Sequence, residues 1–245
     1  MRLNWFITIS IVLSVVFAAG LTLSLLVFGR YYETIFLLVQ DLISLPLEVL
    51  IVTVFIDRLL QVRERHELGQ KVNIIVSVFF TQMGAELLRY LSLFDRSLDQ
   101  MRTIAGVSED WTARDFADMR KRLRDYQYNI DCHCTDLADL KDLLQDNHDH
   151  LLTMLSNPSL LEHQSFTDLL WAVLHLSREL DYRQNLDNLP EPDYAHLGED
   201  MRRVYVLLVK EWLSFAERLK DTQPYSFSLA VRLNPFSEEA SPIIR

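Results

Sequence analysis

Ile35-Phe-Leu-Leu-Val-Gln-Asp41-Leu-Ile-Ser44-Leu-Pro-Leu-Glu48-Val-Leu-Ile-Val-Thr-Val-Phe-Ile56 is a run of 22 residues with two acids, one proline and no base. About 20 apolar residues suffice to cross the roughly 30 Å of hydrocarbon in a bilayer, so the run is expected to be a transmembrane helix. Residues 3–28, which carry no charge, form a second candidate ahead of it. Their apolar character continues nine residues past Ala19, longer than the core of a cleaved signal peptide allows. Only Gly29-Arg30-Tyr31-Tyr32-Glu33-Thr34 separates the two runs, so the expected arrangement is an antiparallel two-helix hairpin.

Basic residues near span ends set orientation. Arg30 stands alone in the short loop, whereas Arg58, Arg63, Arg65 and Lys71 follow the second run and Arg2 precedes the first. Both termini are therefore expected in the cytoplasm, and the chain in the cytoplasmic membrane as a multi-pass protein with the lipid bilayer as partner. Asp41, Ser44 and Glu48 share one helical face. A charged acid near mid-bilayer costs on the order of 2.5–3.5 kcal/mol, and neither run offers a base to pair with it. Ser10, Ser14, Ala18 and Thr22 recur every four residues on the first run, a small-residue stripe that permits close helix approach. Two readings follow for the acids. A protonated Glu48 could hydrogen-bond a serine and hold helices together, or several hairpins could line a cation path with Asp41 and Glu48, since acid rings select cations.

The rest of the chain is different in kind. The full sequence has 245 residues and a formal charge of −10. Residues 1–57 hold two bases and four acids, a net −2, which leaves −10 − (−2) = −8 for the remainder. An acidic balance weighs against nucleic acid as a partner, because such binding neutralises phosphates. Six glycines, seven prolines and two cysteines exclude collagen-like, disulfide-rich and four-cysteine zinc architectures. Val72, Ile75, Val76, Phe79, Phe80, Met83, Leu87, Leu88 and Leu91 repeat at three and four, a core-facing helical stripe. Gly84 sits within it as a close-packing point or a kink. Thr112-x-x-Asp115 opens another helix with Phe116, Met119, Leu123 and Tyr126 on one side. Further helices are expected from Thr135 to Asn157, from the Ser165–Asp168 cap through Leu180, and from about Asp193 to Lys220. The class is all-α: the hairpin of residues 1–57, an acidic cytoplasmic helical bundle over 58–236, and a flexible tail over 237–245.

Candidates for chemistry are few. Cys132-His133-Cys134, with His148 and His150 nearby in sequence, resembles a metal run, yet residues two apart on a helix point away from each other, so the cysteines are read as small buried hydrophobes. Arg120-Lys121-Arg122-Leu123-Arg124 has Asp115, Asp118 and Asp125 at helical neighbour spacing, and a salt-bridged solvated face is expected. No Gly-rich phosphate loop or nucleophile motif is present. No catalytic residue, cofactor or metal ligand is assigned, and the chain is expected to be a non-enzymatic homo-oligomer whose helical module meets an unidentified cytoplasmic protein partner, with an unrecognised membrane-anchored enzyme as a further alternative to the cation path.

Leu45–Leu60, with its glutamate and its Ile-Asp57-Arg-Leu-Leu exit, Lys71–Leu88, and Pro224-Tyr-Ser-Phe-Ser-Leu-Ala-Val-Arg-Leu-Asn-Pro-Phe236 together resemble a broad set of prokaryotic two-span membrane proteins of uncharacterised function. That resemblance implies that hairpin and helical module form one inherited unit; it implies no activity. Tyr225, Phe227, Leu229, Val231 and Leu233 alternate with smaller residues, so Pro224–Phe236 is expected to lie extended in a groove, with Arg232 reaching a carboxylate.

Overall fold

The computed structural model describes residues 12, 14–20, 22, 23, 26, 31–133 and 135–243. Its contacts divide the chain into two compact units, Met1–Arg65 and His66–Arg245. In the first unit the residues described between 12 and 26 are helical, and helix α1, Tyr31–Phe79, begins; its 49 residues contribute to both units. Large apolar side chains are exposed along α1 from Ile35 to Val62.

The expected transmembrane hairpin is corrected at this point. Among the described residues, no helix is long and apolar enough to cross a membrane. Gln40, Asp41, Ser44, Pro46 and Glu48 interrupt the apolar run of 35–56, and α1 continues into the charged sequence beyond Asp57. The residues of 3–28 lie largely outside the described part. The two-span hairpin, the multi-pass placement in the cytoplasmic membrane and the inward orientation of both termini are therefore not retained. The all-helical class is: among the described residues the only β pairing is an isolated antiparallel bridge between Asp95 and Ile130.

In the second unit the stripe from Val72 to Leu91 is buried as its spacing predicts, with Ile75 alone only half-buried. Between Phe79 and Ala85 the helix widens into a π turn, Phe80–Gly84, before α2, Ala85–Ser92. Gly84 is required there: a Cβ on it would lie 2.5 Å from the Phe79 ring. Without one, Phe79 packs edge-on against Phe166, with centroids 5.4 Å apart, and Phe80 stacks on Phe215 at 4.9 Å.

Helix α3 is Leu98–Ile104 and α4 is Ala113–Asp125. The Thr112–Asp115 start is as expected, the Thr112 backbone N–H donating to the Asp115 carboxylate at 2.7 Å. The expected helix from Thr135 to Asn157 is two, α5 (Leu137–Asp146) and α6 (His148–Leu155). Asn147 breaks it by turning its amide back to the Leu143 carbonyl at 2.9 Å. Asp136, one residue after the expected start, accepts from the Ala138 N–H. A short 3-10 turn, Pro158–Glu162, leads to α7, Gln164–Asp181. This helix starts ahead of the expected Ser165 cap, because His163 Nδ1 accepts from the Phe166 N–H.

Helix α8, Glu191–Thr222, is the axis of the unit; it packs on α2, α4, α7 and α9. Helix α9, Pro224–Arg232, replaces the expected extended strand. Proline suits a first helical position, since its missing donor would be orphaned there anyway. Phe227 is buried while Tyr225 points outward. Past α9, the buried Asn234 side chain donates to the Ala105 carbonyl at 2.8 Å and Phe236 packs edge-on against Trp212. Arg232 reaches the Pro242 carbonyl rather than a carboxylate, and Glu238 pairs with Arg102 at 2.6 Å.

Overpacking a well-filled core costs about 1–3 kcal/mol. Gly84→Ala is therefore expected to lower the thermal midpoint by several degrees in circular dichroism, and an unchanged midpoint would show that the Phe79 ring moves aside freely.

Candidate functional site

The loop between α4 and α5 and the first turns of α8 enclose a cleft of about 350 Å³, bordered by Asp131, Cys132, His133, Glu191, Tyr194 and Arg202. Tyr128, which lines it, belongs to a cluster built around a buried carboxylate. Asp95 is 4% exposed and lies 2.6 Å from the Tyr126 hydroxyl, while its other oxygen accepts from the Ser97 N–H at 2.9 Å. Two donors satisfy the ion where water cannot. Tyr128 stands edge-on to Tyr126 and to Tyr205, with centroids 4.9 and 5.4 Å apart. The hydroxyl of Tyr128 is sealed from water without a hydrogen-bond partner, and that of Tyr205 is sealed beside Asp95. Burial, and then the charge of Asp95, pushes the Tyr205 phenol well above its ordinary value.

Asp131 is oriented by Arg96 Nε at 2.7 Å and accepts from the His133 N–H at 3.0 Å. The Cys132 thiol faces the Tyr194 carbonyl at 3.4 Å and Met201 Sδ at 3.7 Å, both on α8. Gly198 lies alongside it: a Cβ there would stand 3.5 Å from the sulfur, an ordinary contact. Set against a carbonyl and a thioether, the thiol has the surroundings of a structural cysteine rather than an activated one. His133 turns outward, its Nε2 3.6 Å from Glu191 and its ring 4.4 Å from that of Tyr194. Cys134, the other cysteine of the metal-like run, lies outside the described residues.

The remaining sequence candidates fall elsewhere. Glu48 is exposed on α1, Ser44 is half-buried, and Asp41 lies in α1 with its side chain outside the described part. Ser14 is helical and exposed, and Ser10 is not described. The cation path drawn through Asp41 and Glu48 presupposed a membrane crossing and is set aside with it. Arg58, Arg63 and Lys71 are exposed on α1, with the Arg65 side chain not described. In the basic run of α4, Arg120 pairs with Glu217 of α8 instead of a neighbouring aspartate. Asp115 is spent on the helix cap, which holds its carboxyl below the usual range. Arg120 and Arg124, with Leu123, Lys210 and Leu213, border a second groove of about 500 Å³.

Residues 68–232 match a family model described as "Uncharacterized protein MJ1433, C-terminal helical domain". The chain belongs to this family. A relative, "Uncharacterized protein MJ1433" of Methanocaldococcus jannaschii, is 41% identical over 217 residues, covering 88% of this chain and 86% of its own length. No solved structure matches. The family match begins within α1 and ends with α9, so the Asp95 cluster, the cleft and the second groove all lie inside it. The comparisons support no membrane-protein family, which corrects the two-span resemblance to membership of a helical-domain family.

Burial pushes the Tyr128 phenol up to about 12, against roughly 10 for an exposed tyrosine. A proton held more tightly by the folded state stabilises fully below the unfolded pKa and is lost as pH climbs toward the folded one. Stability is expected to fall between about pH 10 and 12, read by tyrosinate absorbance against far-ultraviolet dichroism, and Tyr128→Phe is expected to flatten that fall.

Proposed function

We propose that this chain is a non-enzymatic assembly protein: the helical unit recognises a partner or a state, and the apolar part of α1 gathers copies of the chain. One observation carries the reading. Ile35, Phe36, Leu37 and Val39, then Val49 to Val52, then Val54 to Ile56 are all about half exposed or more. Adjacent residues on a helix point about 100° apart, so these runs clothe α1 on every side. Apolar patches far smaller than this already mark interaction surfaces, and a helix apolar all round belongs in an interior. A partner with one apolar face would cover a single stripe. Identical helices cover one another on all sides, and self-association of like chains is the commonest form of oligomer.

The site chemistry is consistent with a binding role. Cys132 is packed into the core, His133 faces Glu191 at the rim, and no phosphate-binding loop exists in the sequence. A cleft of this size suits recognition by shape and by Asp131, which borders it and is held by Arg96.

Sedimentation of the full chain in mild detergent tests the assembly. A defined oligomer is expected, dissociating in Ile51→Asp and Phe55→Asp and persisting in Glu48→Gln, since glutamine keeps a donor and an acceptor. A monomer at all concentrations, or flotation with lipid vesicles in place of self-association, would overturn the reading.

A further inference from the structure

Helices α4 and α8 border a groove of about 500 Å³, within the range of about 300–1,000 Å³ that small-molecule sites occupy. Helix α4 contributes Ala117, Arg120 and Arg124 at i, i+3 and i+7, with Leu123 beside them, and α8 contributes Lys210, Leu213 and Ser214. Residues three and four apart are neighbours on a helix surface, so each set lies along one face of its helix. From Ala117 to Arg124, at about 1.5 Å per residue, the groove runs roughly 10 Å.

Its floor is apolar: Leu123 and Leu213 are buried beneath it, and Ala117 is open to solvent at its edge. Its rim is basic, and the protein leaves most of that charge unanswered. Arg120 pairs with Glu217 of α8. Arg124 and Lys210 are exposed, and among the described residues neither makes an ion pair. The residues three and four before Arg124 are Lys121 and Arg120, both bases, and like charges at that spacing oppose one another. Lys210 has Val206, Leu207, Leu213 and Ser214 at the same spacings, none of them acidic. The chain carries 34 acids against 24 bases, yet sets no carboxylate against these two cations. Like charges gathered in a cleft with low-dielectric walls concentrate counter-ions of the opposite sign.

The lining narrows the counter-ion further. The Arg124 guanidinium is a planar fork that fits a carboxylate or phosphate, and Lys210 is a compact point charge. The Ser214 hydroxyl is turned back to donate to the Lys210 carbonyl at 3.1 Å. No aromatic ring, carboxylate or carboxamide side chain borders the groove among the described residues, so a nucleobase would meet neither a stacking face nor a pairing side chain. An aliphatic chain, in contrast, would lie on the two leucines and the alanine.

We propose that this groove binds an anionic amphiphile with an aliphatic body, its carboxylate or phosphate head on Arg124 and Lys210 and its chain along Ala117, Leu123 and Leu213. The site goes beyond the assembly reading and does not require it, since all of its residues belong to the second unit.

The test titrates the full chain by calorimetry with decanoate and with monodecyl phosphate, each below its micelle-forming concentration. Decyltrimethylammonium supplies the same chain under the opposite charge. Saturable binding of one equivalent of each anion is expected, with a higher thermal midpoint on loading and the cationic probe weaker on the order of tenfold or more. Arg124→Glu and Lys210→Glu alter exposed side chains and are expected to keep the far-ultraviolet dichroism. Each is expected to weaken binding on the order of tenfold, as loss of a charge-assisted hydrogen bond does. Ala117→Phe fills the groove from its open edge and is expected to block both anions. Ile51→Asp, on the apolar part of α1, is expected to bind as the wild type does, which tells failure of assembly apart from failure of this site. Decanoate bound no better than decyltrimethylammonium, undiminished binding in the Arg124→Glu, Lys210→Glu double variant, or binding to phosphatidylglycerol vesicles without binding of the free anions would overturn the proposal.

Discussion

The antiparallel contact between α7 and α8 is the constraint from which the helical unit is built. Phe166, Leu169, Leu170, Val173, Leu176 and Leu180 of α7 close on Leu197, Met201, Val204, Tyr205, Leu208 and Val209 of α8, and all are buried. At about 25 cal/mol per Å² of apolar surface, a dozen such side chains dominate the energetics of the unit. The remaining helices lean on this pair. At the π turn Phe79 packs on Phe166 of α7 and Phe80 on Phe215 of α8, α4 anchors to α8 through Arg120 and Glu217, and the Cys132 loop is seated by Tyr194 and Met201. Polar features are then placed by an apolar scaffold: the Asp95–tyrosine cluster at Tyr205 of α8, the basic-rimmed groove at Lys210.

The parts of this fold that were legible share a physical cause, namely a repeat that local chain geometry enforces. The stripe from Val72 to Leu91 is visible because three-and-four spacing leaves no other structure able to bury it. The Thr112–Asp115 start is visible because its partners are three residues apart. What stayed hidden depends on distant pairing. Asp95 meets a tyrosine 31 positions away, and nothing beside it in sequence announces a buried ion. The basic run of α4 stood in plain view, yet only the packing of α4 on α8 brings Lys210 to the same groove. Pro224–Arg232 misled because Ser226, Ser228 and Ala230 alternate with larger residues in the manner of a strand; the helix instead buries Phe227 and leaves Tyr225 in solvent.

The N-terminal helix teaches a different lesson. Counting apolar residues between Ile35 and Ile56 answers how greasy the segment is, but its acids, its proline and its continuation past Asp57 decide what kind of helix carries that grease. Among the described residues the answer is one long helix with no membrane-crossing stretch. Its exposed valines, isoleucines and leucines still demand cover.

The π turn at Phe80–Gly84 has a structural corollary. Adding a residue to an ordinary α-helix rotates everything downstream by about 100°, which would swing Leu87, Leu88 and Leu91 out of the core. A π turn absorbs an added residue as a local bulge instead, leaving the flanking faces aligned. This short segment thus acts as a slack loop, a place where chain length and facing direction are uncoupled.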